Sequence, residues 1–141
     1  MVSEVPNMNS SLEFNEIFNN ENFHESEESK NDNLLQDTNN LLQAVGISAK
    51  RIDSIDELSR VASSMFVAIF ESFFRIRLEN ICRNPQNKED YIKNAQYVID
   101  GLSEQIQFDL LHISGASIVE GDLHSISNLV NIFSRILVIT K

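Results

Sequence analysis

Apolar residues recur at helical spacing through most of the chain after residue 33. A first predicted helix has its apolar positions at Leu34, Leu35, Leu41, Leu42 and Val45. Gly46 is placed to end this helix, because glycine readily adopts the left-handed conformation that closes many helices. Residues 48–54 are then predicted to connect it to the next helix.

The second predicted helix begins at Asp53 or Ser54 and continues to about Ile81. Its apolar residues recur at i, i+3, i+4 and i+7, which is typical of an amphipathic helix. They are Leu58, Val61, Ala62, Met65, Phe66, Ile69, Phe70, Phe73 and Phe74. Between Phe66 and Phe70 the apolar stripe extends almost all the way round, so this helix is predicted to be the central one, with its aromatic residues in the core.

Pro85 and its asparagine neighbours interrupt the pattern between residues 83 and 87, because proline disfavours helix at the residue before it. Another helix is predicted to start at Lys88 or Glu89. Its apolar face consists of Tyr91, Ile92, Ala95, Val98, Ile99 and Leu102.

The segment 107–113 is apolar but too short for a further full helix, and a corner with two glycines follows from Gly115 to Gly121. A last amphipathic helix is predicted from about Leu123 to Ile139. Alternation typical of strands is absent from the sequence, and so is any repeat. The fold class predicted is therefore all-α, a compact bundle with about four principal helices.

Charge is concentrated near the start of the chain. The formal net charge is −10 over 141 residues, and residues 1–32 hold eight acids and one base, which leaves −3 for residues 33–141. We predict that residues 1–32 form an acidic disordered tail, because they bury too little apolar surface to offset the entropy of ordering. The alternative is a docking peptide that folds on a partner through Leu12, Phe14, Ile17, Phe18 and Phe23.

Composition also argues against several classes of protein. A net charge of −10 disfavours general nucleic-acid binding, which needs a basic face. The longest uncharged apolar run, 61–70, is far shorter than the roughly 20 residues of a membrane span. Cys82 has no second cysteine to pair with and is interpreted as a structural thiol. A soluble, cytoplasmic protein without a secretory signal is expected.

One cluster near the C-terminus could suggest metal binding or acid–base chemistry: His112, Glu120, Asp122 and His124. Capping of the last helix already explains Asp122, and His124 is expected on an exposed first turn. The four glycines are scattered, so the sequence contains no glycine-rich phosphate loop, and nothing predicts a nucleophile elbow. We therefore expect no enzyme, no cofactor and no metal site.

Basic residues form the remaining candidate site. Between residues 75 and 88 there are four bases and one acid, on a protein that is acidic as a whole. The candidate partner-binding patch consists of Lys50, Arg51, Arg75, Arg77, Arg83 and Lys88. Such a patch could face an acidic partner such as the tubulin tails. The alternative is a solvated helix end at which cations offset the dipole.

The run HISGASIVEGDLHSISNLVNIF, after VIDGL and a short apolar lead-in, resembles the end of a calponin-homology domain. In that family, a turn of the form Ile-Val-x-Gly-Asp/Asn precedes the last helix. Ile118, Val119, Gly121 and Asp122 occupy this turn here, and the details look closest to the divergent calponin-homology-like (NN-CH type) domains of centrosomal and ciliary coiled-coil proteins. The strong resemblance covers residues 98–137. The domain it implies is assigned to residues 33–141.

The resemblance implies a non-catalytic module that binds a protein partner, tubulin or a centrosomal scaffold protein, at centrosomal or ciliary microtubule structures. Localisation at the centrosome or spindle pole follows from the same resemblance. Three alternatives stay open: an adaptor that binds another protein without cytoskeletal contact, actin binding, and a small-molecule enzyme. Relatives of this type usually precede a long coiled coil, which this sequence lacks, so neither the oligomeric state nor the partner's identity follows from it.

Overall fold

The computed structural model describes residues 27–47 and 51–140, and this part of the chain is helical without a strand. The helices are α1 Glu27–Ala44, α2 Ile55–Phe74, α3 Lys88–Ile106, the short α4 Gly115–Val119, and α5 Leu123–Thr140. Four of them are long, so the all-α prediction with four principal helices is confirmed. The contacts divide the chain into two units, residues 1–32 and 33–141. The prediction of disorder for residues 1–26 lies outside the described residues.

Helix α1 starts earlier than the sequence pattern predicted. It begins at Glu27 rather than at residue 33, so the predicted tail is helical over its last described residues. Glu27 and Glu28 lie in the first turn, where carboxylates interact favourably with the positive end of the helix dipole. At the other end Gly46 adopts φ +92°, and Ile47 donates its N–H to the carbonyl of Leu42 at 2.8 Å. This Schellman closure ends the helix where the glycine predicted.

The starts of α2 and α3 agree with the prediction. The Ser54 hydroxyl accepts a hydrogen bond from the N–H of Glu57, and the Asn87 side chain accepts one from the N–H of Asp90. Each of these caps satisfies an amide that would otherwise have no partner at a helix start.

The end of α2 is different from the prediction. The helix stops at Phe74 instead of continuing to about Ile81, because Arg75 leaves it in the left-handed conformation, with φ +58°. Residues 75–87 then form a long crossover connection to α3.

The core is formed by the inward faces of these helices, and α2 lies at its centre as predicted. Eight of its residues are buried: Leu58, Ala62, Ser63, Met65, Phe66, Val67, Ile69 and Phe70. The ring of Phe66 stacks on that of Phe133 from α5, with centroids 6.2 Å apart. Ile118 of α4 is fully buried, and Val119 is half-buried. The predicted corner thus contains a turn of helix that inserts an aliphatic side chain into the core.

Helices α2 and α3 run in the same direction. The Ser63 hydroxyl donates to the carbonyl oxygen of Tyr91 at 2.7 Å, and further along both helices Gly101 faces the ring of Phe70. Because the two contacts advance together along both helices, the C-terminal ends of α2 and α3 lie at the same end of the bundle.

Helix α5 follows the same course along α2. Gly121, just before α5, faces Ser59 near the start of α2. About two turns further along α2, Phe66 stacks on Phe133, which lies about three turns into α5. All three long core helices therefore point the same way.

Candidate partner-binding surface

Arg83 is held by a carboxylate of the central helix. Its Nη1 and Nη2 atoms donate to the Oε1 and Oε2 atoms of Glu71, at 2.9 and 2.7 Å, and Nη2 also donates to the carbonyl of Leu78 at 2.9 Å. The N–H of Leu78 donates back to Glu71 at 2.6 Å. A guanidinium bound in this bidentate way is committed to fastening the crossover connection onto α2, and its charge is compensated locally.

This arrangement shifts the acid–base behaviour of Glu71. The hydrogen bonds from Arg83 lower the pKa of the Glu71 carboxyl below its usual value, against the opposing effect of burial; the N–H of Leu78 and the charges of Arg83 and Arg77 act in the same direction. In the folded protein Glu71 therefore stays ionised to a lower pH than it would in the unfolded chain.

Glu71→Gln should make the unfolding free energy less sensitive to acid. A carboxyl whose pKa is lower in the folded state contributes stability above its unfolded pKa, and this contribution is lost as pH falls through the folded pKa. The parent protein should thus lose stability below about pH 4.5 more steeply than the variant. Thermal melts between neutral pH and pH 3 compare the two. Glu104→Gln, on an exposed carboxylate, serves as the matched control, and equal acid slopes for all three proteins would contradict the role of the pair.

A buried asparagine of α3 also holds the crossover connection in place. Asn94 is buried, and its side chain accepts the N–H of Cys82 and donates to the carbonyl of Cys82, both at 2.9 Å. The Cys82 thiol is free and half-buried. The Asn94 side chain thus satisfies both backbone hydrogen-bonding groups of Cys82, which would otherwise be unpaired beside the core.

Two other members of the predicted patch lie beside acidic side chains. Arg51 pairs with Asp53 at 3.4 Å before α2, and Lys88, at the start of α3, lies 4.0 Å from Glu120. Lys50 lies outside the described residues. Lys88 also shares a groove with Arg60.

Arg75 and Arg77 are the members of the patch without an ion pair in the described part of the chain. Both are exposed, and they flank Ile76, which is itself 41 % exposed. They lie at the C-terminal end of α2, where helix α2 has no basic residue in its last turn. The interpretation of a cation offsetting a helix dipole fits this location, and it leaves both guanidinium groups open to solvent.

The sequence did not point to Phe108 and Leu111. Both follow α3 in the apolar segment 107–113, and both are strongly exposed, at 65 % and 88 %. The neighbouring Leu110 and Ile113 are buried. The sequence pattern alone cannot tell the exposed pair from the buried pair, because a short non-helical segment has no fixed period. The available signal was that this segment holds more apolar residues than it can bury.

The turn before α5 is structural. Gly121 adopts φ +83°, and the Asp122 carboxylate accepts the N–H of His124 at 3.3 Å and the hydroxyl of Ser125 at 2.8 Å. His112 and His124 are exposed. Across residues 27–47 and 51–140, no cluster of three His, Cys, Asp or Glu side chains is arranged to hold a metal ion. Among the described helices, none has the length and apolarity that crossing a membrane requires.

Comparison with known proteins places residues 78–136 in a match to a family model described as a domain of unknown function (DUF5745). The chain is also similar to a centrosomal protein. It is 38% identical over 84 residues to the centrosomal protein of 95 kDa of Mus musculus, and 36% identical over the same length to that of Rattus norvegicus. These matches cover 59% of the chain and 10% of each relative, so the chain spans about a tenth of their length. No solved structure matches.

The similarity to a centrosomal protein agrees with the centrosomal part of the resemblance that the sequence suggested. The assignment to the calponin-homology-like domains stays a prediction.

Proposed function

We propose that this chain is a non-catalytic protein-interaction module of the centrosome. The observation that carries this proposal is the similarity to the centrosomal protein of 95 kDa over 84 residues. The described residues add support of a different kind: their buried polar groups are engaged in caps and clasps, as Ser63, Asn94 and Ser125 illustrate. With these groups engaged in the fold, we assign the function to the surface of the module.

We further propose that Arg75 and Arg77 contact an acidic partner at centrosomal microtubule structures, with the tubulin tails as the specific candidate. Two unpaired guanidinium groups beside an exposed isoleucine present charge and a small apolar contact together. Arginine suits this role because its planar donors bind carboxylates in pairs. Arg83 is excluded from the contact, since breaking its pair with Glu71 would release the crossover connection.

Reversal of both charges, Arg75→Glu with Arg77→Glu, should weaken microtubule binding at least roughly tenfold, because like charges facing each other cost several kcal/mol. Co-sedimentation with polymerised tubulin at low ionic strength measures the effect. The matched control is Arg51→Glu with Arg60→Glu, which changes the net charge equally near the opposite end of α2. Circular dichroism melts of both double variants verify that the helices are retained.

Three outcomes distinguish the candidates. Selective loss with Arg75 and Arg77, together with weaker binding at about 0.1 M salt, supports the contact, since exposed charges are screened over roughly 10 Å there. Equal loss in both double variants would show only an effect of net charge. If the parent protein does not pellet at low salt, direct microtubule binding is wrong, and an adaptor that binds another centrosomal protein replaces it.

A further inference from the structure

Two exposed segments lie at the same end of the bundle. Residues 75–77 follow α2 and residues 107–111 follow α3, and these helices run in the same direction. The side chain of Leu78 comes within 3.8 Å of the Cβ position of Gly101, on α3, which brings the crossover connection against the last turns of that helix. We call the combination the helix-end surface: Arg75, Ile76, Arg77, Glu104, Phe108, Asp109 and Leu111.

Large apolar side chains are concentrated on this surface. Six large hydrophobic residues are exposed in the described part of the chain, and three of them, Ile76, Phe108 and Leu111, belong to it. Val138 and Ile139, in the last turn of α5, lie toward the same end of the bundle, whereas Tyr97 lies in the middle of α3. Isolated exposed hydrophobics are ordinary, whereas a group at one end of a fold indicates an interface.

The exposure of Phe108 and Leu111 is built into the fold. Ser103 holds the loop by three hydrogen bonds: its carbonyl accepts the N–H of Phe108 at 3.1 Å, and its hydroxyl donates to the carbonyl of Phe108 at 2.8 Å and accepts the N–H of Leu110 at 3.0 Å. Leu110 and Ile113 anchor the loop in the core. Because the backbone of this loop is already fixed, little backbone entropy is lost when its outward side chains bind a partner.

Opposite charges border the apolar residues. Arg75 and Arg77 contribute two cations, and Glu104 and Asp109 contribute two anions, all of them exposed. The sequence has no lysine or arginine from residue 94 to residue 134, so the side of this surface that belongs to α3 and its loop carries no basic counterpart. A surface of one sign would repel its own copy. This one carries both signs on separate segments and is therefore complementary to itself.

We propose that the helix-end surface pairs with the same surface of a second copy of the chain. In a twofold arrangement, Phe108 and Leu111 of the two copies meet at the centre. Arg75 and Arg77 of each copy then face Glu104 and Asp109 of the other. An interface of this isologous kind closes at two copies, which is the commonest form of homo-oligomer. The dimer buries Arg75 and Arg77, so it competes with the acidic partner proposed above.

Sedimentation velocity of the full chain, from about 10 µM to 1 mM at roughly 0.15 M salt, tests self-association directly. The parent protein should shift from monomer to dimer as concentration rises. Phe108→Ser with Leu111→Ser should stay monomeric throughout. Tyr97→Ser removes an exposed hydrophobic outside the surface and should dimerise like the parent. A parent protein that remains monomeric at the highest concentration overturns the proposal, and so does a Tyr97→Ser variant that dissociates as fully as the double variant.

A charge exchange tests the orientation. Arg75→Glu with Arg77→Glu makes the surface wholly acidic, and Glu104→Lys with Asp109→Lys makes it wholly basic, so each variant alone should be monomeric. An equimolar mixture should form a one-to-one heterodimer, since every facing pair is then opposite in sign. A mixture that stays monomeric would rule out the pairing of these charges.

The outcome is separable from that of the microtubule experiment. Phe108→Ser with Leu111→Ser keeps both arginines, so it should bind microtubules at least as well as the parent while failing to dimerise. Loss of microtubule binding in this variant would show that the two sites are not in competition and would overturn that part of the proposal.

Discussion

Phe70→Ala should lower the free energy of unfolding by about 3–5 kcal/mol. Phe70 is 1 % exposed, its ring lies 4.7 Å from that of Phe74, and it fills the space opposite Gly101 on α3. Alanine would leave a cavity where α2 and α3 pack together, and the backbone of two long helices cannot collapse into it. Chemical denaturation followed by circular dichroism measures the change.

The matched control for this substitution is Phe73→Ala. Phe73 lies on the same helix and meets Phe74 edge to face, but it is only half-buried. Its loss should cost much less, about 1 kcal/mol for the aromatic contact. If both variants lose the same stability, the position of Phe70 in the core is wrong.

Gly115→Ala should destabilise the protein by about 3 kcal/mol, although it adds a single methyl group. A Cβ atom at this position would come within 2.4 Å of the carbonyl oxygen of Ile92 and 2.8 Å of the backbone nitrogen of Gln96. Both are backbone atoms of α3, so no side-chain rotation can relieve the overlap. The N–H of Gly115 also donates to the side chain of Gln96 at 2.8 Å, and the shift would break this hydrogen bond. Thermal and chemical unfolding report the loss.

Gly46→Ala separates overlap from backbone strain. Gly46 has φ +92° and nothing near its Cβ position, so alanine there costs only the strain of a left-handed residue, about 1 kcal/mol. Gly115→Ala should therefore be the more damaging of the two. The reverse order would mean that α4 can move away from α3 without loss.

The sequence predicted the starts of α2 and α3, but neither the start of α1 nor the end of α2. Ser54 and Asn87 mark the starts of α2 and α3, because a capping side chain binds an amide within three residues of its own position. The end of α2 depends on partners further away. Leu78 and Ile81 continue the apolar spacing of Phe74, so the pattern extended the helix to Ile81. Glu71 instead accepts the N–H of Leu78 and binds Arg83, and these contacts hold the chain out of the helix.

The candidate site, like the helix ends, was predicted from the sequence only where it depends on neighbouring residues. Sequence identified a local excess of bases, yet whether a base is free depends on acids distant in the chain. Arg83 is paired by Glu71, and Lys88 lies near Glu120 of the turn before α5. Neither pairing follows from counting charges within a window. The outward position of Phe108 likewise depends on the three hydrogen bonds that Ser103 makes in the loop.

The common direction of α2, α3 and α5 has a consequence for the rate of folding. Two antiparallel helices joined by a short turn can begin to pack beside that turn. Two parallel helices can pack only after the connecting chain has returned along the full length of the first helix. Ser63 must find Tyr91 across the crossover connection, and Phe66 must find Phe133 across nearly half the chain. Native contacts between such distant positions raise the contact order. They also raise the entropic cost of loop closure that must be met to reach the folding transition state. This chain should therefore fold more slowly than an up-and-down bundle of equal length and stability.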